Sequence, residues 1–127
     1  ILILDRIKDM TKGDTVNSYL HFHPEVHLND KNGVLEIAHP DYKVNVISFG
    51  GIITLEESWY SKEFNFKEKN WVANLKKEAN NNYFGYLINL SDREIDVKYN
   101  KNDLLKIKDV NELNFKAINL KKLGELI

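Results

Sequence analysis

The chain has 127 residues, 43% hydrophobic and 29% charged, which suits one globular domain with a real core. Its formal charge of -1 offers no basic excess for nucleic acid or an anionic membrane, so any acidic ligand needs local cations. The absence of cysteine excludes disulfides, thiolate metal sites and cysteine nucleophiles, and no apolar run reaches the ~20 residues of a membrane helix.

Strand signals dominate from the start. Ile1 to Ile7 is a β-rich opening. It has neither the basic leader nor the long apolar stretch of a signal peptide, and it reads as a strand within a longer protein. Lys12-Gly13-Asp14 is a turn signal. Val16 to Leu28 then reads as one long strand, in which Pro24 ends the regular pairing or marks an edge or bulge. Asn29 to Gly33 is a turn, and its closing Asn-Gly is a hairpin cue. Val34 to Ala38 is the next strand, followed by a turn at Pro40-Asp41. Tyr42 to Ile47 alternates, Gly50-Gly51 breaks it, and Ile52 to Leu55 follows.

Trp71 to Lys77 fits a short helix or a strand, because its apolar residues at 71, 72 and 75 suit either period. Asn80-Asn81-Asn82 is a turn before the clearly β-like run Tyr83 to Leu90. Glu94 to Tyr99 alternates, with Ile95, Val97 and Tyr99 on one face. Asn100 to Asp103 is a turn, and Leu104 to Ile107 and Leu113 to Ile118 are the last strands. Some ten short strands with turns between them, and no long amphipathic helix, predict a single antiparallel β-sandwich over residues 1–127.

Three groups of residues could carry chemistry. The densest is His21-x-His23-x-x-x-His27. Residues two apart on a strand share a face, so His21 and His23 would stand side by side and could bind zinc, with Asp5 adding a carboxylate. Solvent-facing strand histidines explain the same pattern without a metal. The second is Trp59-Tyr60 with Phe64 and Phe66, either a platform for sugar rings or core packing. The third is Glu56-Glu57 with Glu63, which could form the carboxylate pair of a glycoside hydrolase but more often is a solvated strand end. There is no G-x-S-x-G, phosphate loop, dinucleotide fingerprint or zinc-finger spacing.

Two stretches resemble the heparinase II/III-like polysaccharide lyases. The first is Leu4-Asp5-Arg6-Ile7 followed by Tyr19-Leu20-His21-Phe22-His23-Pro24-Glu25-Val26; the second is Trp59-Tyr60-Ser61-Lys62-Glu63-Phe64-Asn65. The latter is similar to the family's Y-x-x-x-F-G element, with Asn65 where the family usually has Gly and Lys62 where it often has Pro. Order and approximate spacing agree over about the first 90 residues.

The resemblance implies that the chain is the C-terminal β-sandwich of a larger lyase. An upstream helical toroid would supply the tyrosine base, and the sandwich would close one side of the cleft. The implied reaction is β-elimination at a uronic acid of an acidic polysaccharide, which requires a placed proton acceptor and charge stabilisation. It also implies export to the periplasm or beyond, and a structural zinc whose ligands here would be Asp5 and His21 or His23, with another ligand upstream. Two further expectations stand beside it. One is a non-catalytic carbohydrate-binding or interaction module using Trp59 and Tyr60. The other is a small cupin-like metal enzyme using His21, His23 and Glu25 or His27, with His39 as the only later histidine.

Overall fold

A computed structural model describes residues 1–78, 80–112 and 114–125. It is an all-β, sandwich-like fold of antiparallel strands. In chain order these are β1 (Leu2–Arg6), β2 (Asn17–His21), β3 (His27–Lys31), β4 (Val34–His39), β5 (Tyr42–Phe49), β6 (Gly51–Tyr60), β7 (Glu68–Lys77), β8 (Tyr83–Asn89), β9 (Ile95–Tyr99), β10 (Leu104–Asp109) and β11 (Phe115–Asn119). The short helix α1 (Leu120–Glu125) follows. The strands form three sheets with orders β1-β8-β5-β4-β3, β2-β7-β6 and β11-β10-β9.

The five-stranded sheet lies in the middle. One face packs Leu35, Ile37, Val46, Phe84 and Tyr86 against Ala73 and Leu75 of the β2-β7-β6 sheet. The other face packs Phe49 and Tyr83 against Leu105 and Leu120, closed by the β11-β10-β9 sheet and α1. A strand covered on both sides needs apolar residues without alternation. Strand β8 has that form: Tyr83, Phe84, Gly85 and Tyr86 are all buried in succession.

Local chemistry sets the connections. Asn32 and Gly33 both have positive φ, 54° and 85°, which is the backbone of a tight two-residue hairpin between β3 and β4. Pro40-Asp41 joins β4 to β5, and His39 stacks on Tyr42 across it at 4.4 Å. Gly50, with φ 74°, turns the chain out of the middle sheet into β6. At the far end, the Tyr99 hydroxyl donates a 2.6 Å hydrogen bond to Asp103 and clamps the β9–β10 turn.

Burial, and then this bond, push the Tyr99 phenol up to about 12. An unfolded tyrosine loses its proton near pH 10, so the stability from this clamp is full below that pH and is lost as pH rises through about 12. Tyr99→Phe is expected to cost about 1 kcal/mol in denaturant unfolding at neutral pH. It should also flatten the alkaline decline of stability. An unchanged decline would show that another group causes it.

Two sequence expectations are revised and one open reading is settled. Val16 to Leu28 is not one strand. It splits into β2 and β3, which belong to different sheets, because the chain turns between His23 and Val26, where the Val26 amide bonds the His23 carbonyl at 2.9 Å. The ambiguous Trp71 to Lys77 segment is strand throughout, as part of β7. The last strand begins at Phe115; Leu113 lies outside the described residues.

Candidate functional site

The hairpin of β6 and β7 is ten residues long on each side and outruns the core. Near Gly51 its inner face is covered: Ile53 and Leu55 stand opposite Leu75 and Ala73 and pack on the middle sheet. Farther out the same face carries Glu57 opposite Trp71 and Trp59 opposite Lys69. Trp59 is 61% exposed and Trp71 40%, and Lys69 pairs with Glu57 at 3.3 Å. Two indoles on a diagonal, with an ion pair beside them, make an apolar surface edged by hydrogen-bonding groups. A cleft of about 290 Å³ opens between this surface and the chain at Pro24, His27 and Leu28.

The outer face of the hairpin end is covered differently. Asn70 and Val72 are buried there, whereas on the rest of β7 it is Ala73, Leu75 and Lys77 that are buried. The strand thus exchanges its covered face at Val72–Ala73. The cover is the end of β2 and the turn after it: the Phe22 amide bonds the Trp71 carbonyl at 3.0 Å, and Asn70 Nδ2 donates to the Phe22 carbonyl at 2.9 Å. His23 then packs its ring against Tyr60, centroids 5.1 Å apart.

This geometry sorts the residues picked from sequence. Trp59 and Tyr60 are consecutive on β6 and face opposite sides, so they do not share one surface. Trp59 is free for a ligand, while Tyr60 is half-buried under His23. Glu56 and Glu57 diverge for the same reason. Glu56 accepts a 2.8 Å bond from Asn74 and Glu57 pairs with Lys69, so they do not form an acid–base pair. Phe64, at 94%, and Phe66 are exposed near the loop tip rather than in the core.

The histidines are dispersed. His21 stands beside Val72 on β2, and His23 beyond it over Tyr60. His23 Nδ1 accepts the Glu25 amide at 3.3 Å and lies 3.8 Å from the Glu25 carboxylate. Asp5 is on β1 in the middle sheet, His27 opens β3, and His39 is on β4 against Tyr42. Among the described residues no three His, Asp or Glu side chains converge to hold a metal ion. Asp5, His21 and His23 therefore do not close a zinc site on their own, and the cupin-like set does not assemble.

A larger cleft, about 530 Å³, lies where Lys31, Glu36, Lys43 and Asn45 meet Arg93 and Glu94. Its charges balance one another. The Lys31 hydrogen bond at 2.9 Å, and then the charges of Lys31 and Lys43, hold the Glu36 carboxyl below its ordinary range.

Asn65 stands where the resembled element has glycine. Its φ is 63°, in the left-handed region where glycine is at ease and asparagine is the best-tolerated substitute. Asn65→Gly is expected to leave stability unchanged or raise it slightly, and Asn65→Val to lower it by roughly 1–2 kcal/mol in urea unfolding. Equal effects of the two would mean that the loop does not hold this conformation.

Sequence reasoning missed Trp71, Lys69 and the outer face of the β11-β10-β9 sheet. Trp71 and Lys69 become partners of Glu57 and Trp59 only once the β6–β7 register is known. No protein-family model matches the chain, and neither a curated protein nor a solved structure matches it.

Proposed function

We propose that this chain is the β-sandwich part of a heparinase II/III-like polysaccharide lyase, walling the cleft for an acidic polysaccharide and catalytically incomplete alone. The observation that supports this is the meeting of the two segments that carry the resemblance. Residues 19–26 and 59–65 are far apart in sequence, yet His23 packs on Tyr60. Asn65 holds the backbone conformation that explains the family's glycine. In this reading the base lies in the upstream helical domain, the protein is exported, and the sandwich supplies shape and glycan contacts. No step is routed through a metal.

The test compares the intact protein with residues 1–127 on a panel of uronate polymers, following the absorbance of the unsaturated product. The expected result is product from the intact protein and none from the isolated chain. Product from the isolated chain would overturn the claim of incompleteness, and no product from either would overturn the lyase reading.

A second reading, a non-catalytic carbohydrate-binding module, is favoured by the exposure of Trp59 and Trp71 on one face. Glycan binding that vanishes in Trp59→Ala while the intact protein stays inactive would select it.

A further inference from the structure

The outer face of the β11-β10-β9 sheet has an unusual charge pattern. Pairing places Lys106 directly opposite Lys98 on one side and Ala117 on the other. The next row on that face holds Asp96, Lys108 and Phe115. The opposite face, with Leu105, Val97, Tyr99, Ile107 and Ile118, is committed to the core.

Like charges directly opposite on one face destabilise a strand pair. Protection of a sheet edge by lysine does not explain them, because β10, which carries Lys106 and Lys108, is the central strand. Asp96 partly offsets Lys98, 3.8 Å away, and among the described residues Lys106 and Lys108 are in no ion pair. Phe115 is 54% exposed, and the Lys106 ammonium sits 5.1 Å from its ring centre. These side chains line a shallow depression of about 190 Å³.

We propose that this face binds the acidic sugars of a polyuronate chain. Lys98, Lys106 and Lys108 hold the carboxylates, and Phe115 lies beneath a sugar ring. The identity of the glycan rests on the lyase reading; the need for an anion rests on the lysine pairing itself. Cross-strand neighbours lie about 5 Å apart and next-but-one residues along a strand about 7 Å, so the ammonium groups cover a patch the size of one or two sugars. An anion between Lys98 and Lys106 relieves their repulsion. The ring of Phe115 offers the apolar contact that a sugar's C–H face takes. Three cations and one aromatic, in a chain whose formal charge is -1, are too few for a nucleic-acid track, and too few for the four to eight clustered basic residues that mark anionic membranes.

The test titrates the 127-residue chain with tetragalacturonate and with maltotetraose as the neutral control, by NMR shift perturbation at low salt and at about 0.15 M salt. Tetragalacturonate is expected to shift resonances of β9, β10 and β11 and to bind more weakly at the higher salt, and maltotetraose to leave them unmoved. The combined variant Lys98→Gln, Lys106→Gln, Lys108→Gln should weaken binding about tenfold or more while melting no lower than the parent chain. Phe115→Ala should weaken it several-fold with the salt dependence unchanged.

Absence of binding, or full binding by the triple variant, would overturn the proposal. So would equally tight binding of duplex DNA or phosphatidylserine vesicles with no effect of Phe115→Ala, since the face would then be a generic polyanion surface. An inactive intact protein whose tetragalacturonate binding persists here would remove the lyase reading and leave this site in place. Lyase activity without binding at this face would do the reverse.

Discussion

Alanine at Gly50 is expected to leave no stably folded protein. Gly50 has φ 74°, a conformation that costs a residue with a side chain roughly 1–2 kcal/mol before any contact is considered. Its surroundings add a second cost. A methyl group there would run into the Tyr83 carbonyl oxygen and come within 2.8 Å of the Phe84 Cα, both backbone atoms of β8, an interior strand of the five-stranded sheet. Backbone on one side and the crossing into β6 on the other leave nothing to move aside. The Gly50 carbonyl also receives the Glu78 amide at 3.2 Å and the Asn81 side chain at 3.1 Å, so a shift here breaks the return into β8 as well. A loss of about 4 kcal/mol or more follows, most of the stability of a domain this size. Gly13→Ala is the control: φ is again positive, 97°, but among the described residues no atom lies within 4 Å of the added methyl, and the loss should be about 1 kcal/mol. Circular dichroism and urea titration of both variants decide the matter. A Gly50→Ala protein nearly as stable as Gly13→Ala would show that the crossing is looser than described.

The second large effect is expected in the two cores. Leu75 and Leu105 are both 0% exposed, one on each side of the middle sheet. Truncating either to alanine should cost about 3 kcal/mol from lost burial and the cavity left behind. Each variant should still melt in one step, because strands β5 and β8 contribute to both cores through Val46 and Phe84 on one side and Phe49 and Tyr83 on the other. Thermal unfolding followed by two probes, tryptophan fluorescence for the β6–β7 hairpin and exchange of β10 amides, checks this. Separate transitions in Leu105→Ala would mean that the β11-β10-β9 sheet folds as an independent layer.

Sequence signals were clearest where one local rule acted alone. Asn32-Gly33 announces its hairpin because few other residue pairs accept two positive φ values in a row. The run Tyr83 to Leu90 announces a strand because it is almost wholly apolar and aromatic. Signals failed where two surroundings acted on one element. On β7 the covered face changes at Val72–Ala73, which erases the period of two and gives Trp71 to Lys77 its resemblance to a helix. The turn after His23 could not be read as a change of sheet, since a proline on a strand signals an edge, a bulge or an end with equal force. Trp59 was recognisable as a site residue from its type, but the partners that make it a surface required the register. The lysines at 98, 106 and 108 carry no signal in sequence, and stand out only once the pairing sets two of them face to face.

Among the described residues, strand β6 has a partner on one side only, since its sheet ends with it. Over ten residues, half of its main-chain donors and acceptors point outward, and its first half, Ile52 to Leu55, bears no charge. Ile52 is 61% exposed on that stretch. Such a border invites a neighbouring molecule to continue the ladder, and only Glu56 and Glu57 interrupt the invitation. In concentrated solution the molecule is therefore prone to stick along this rim.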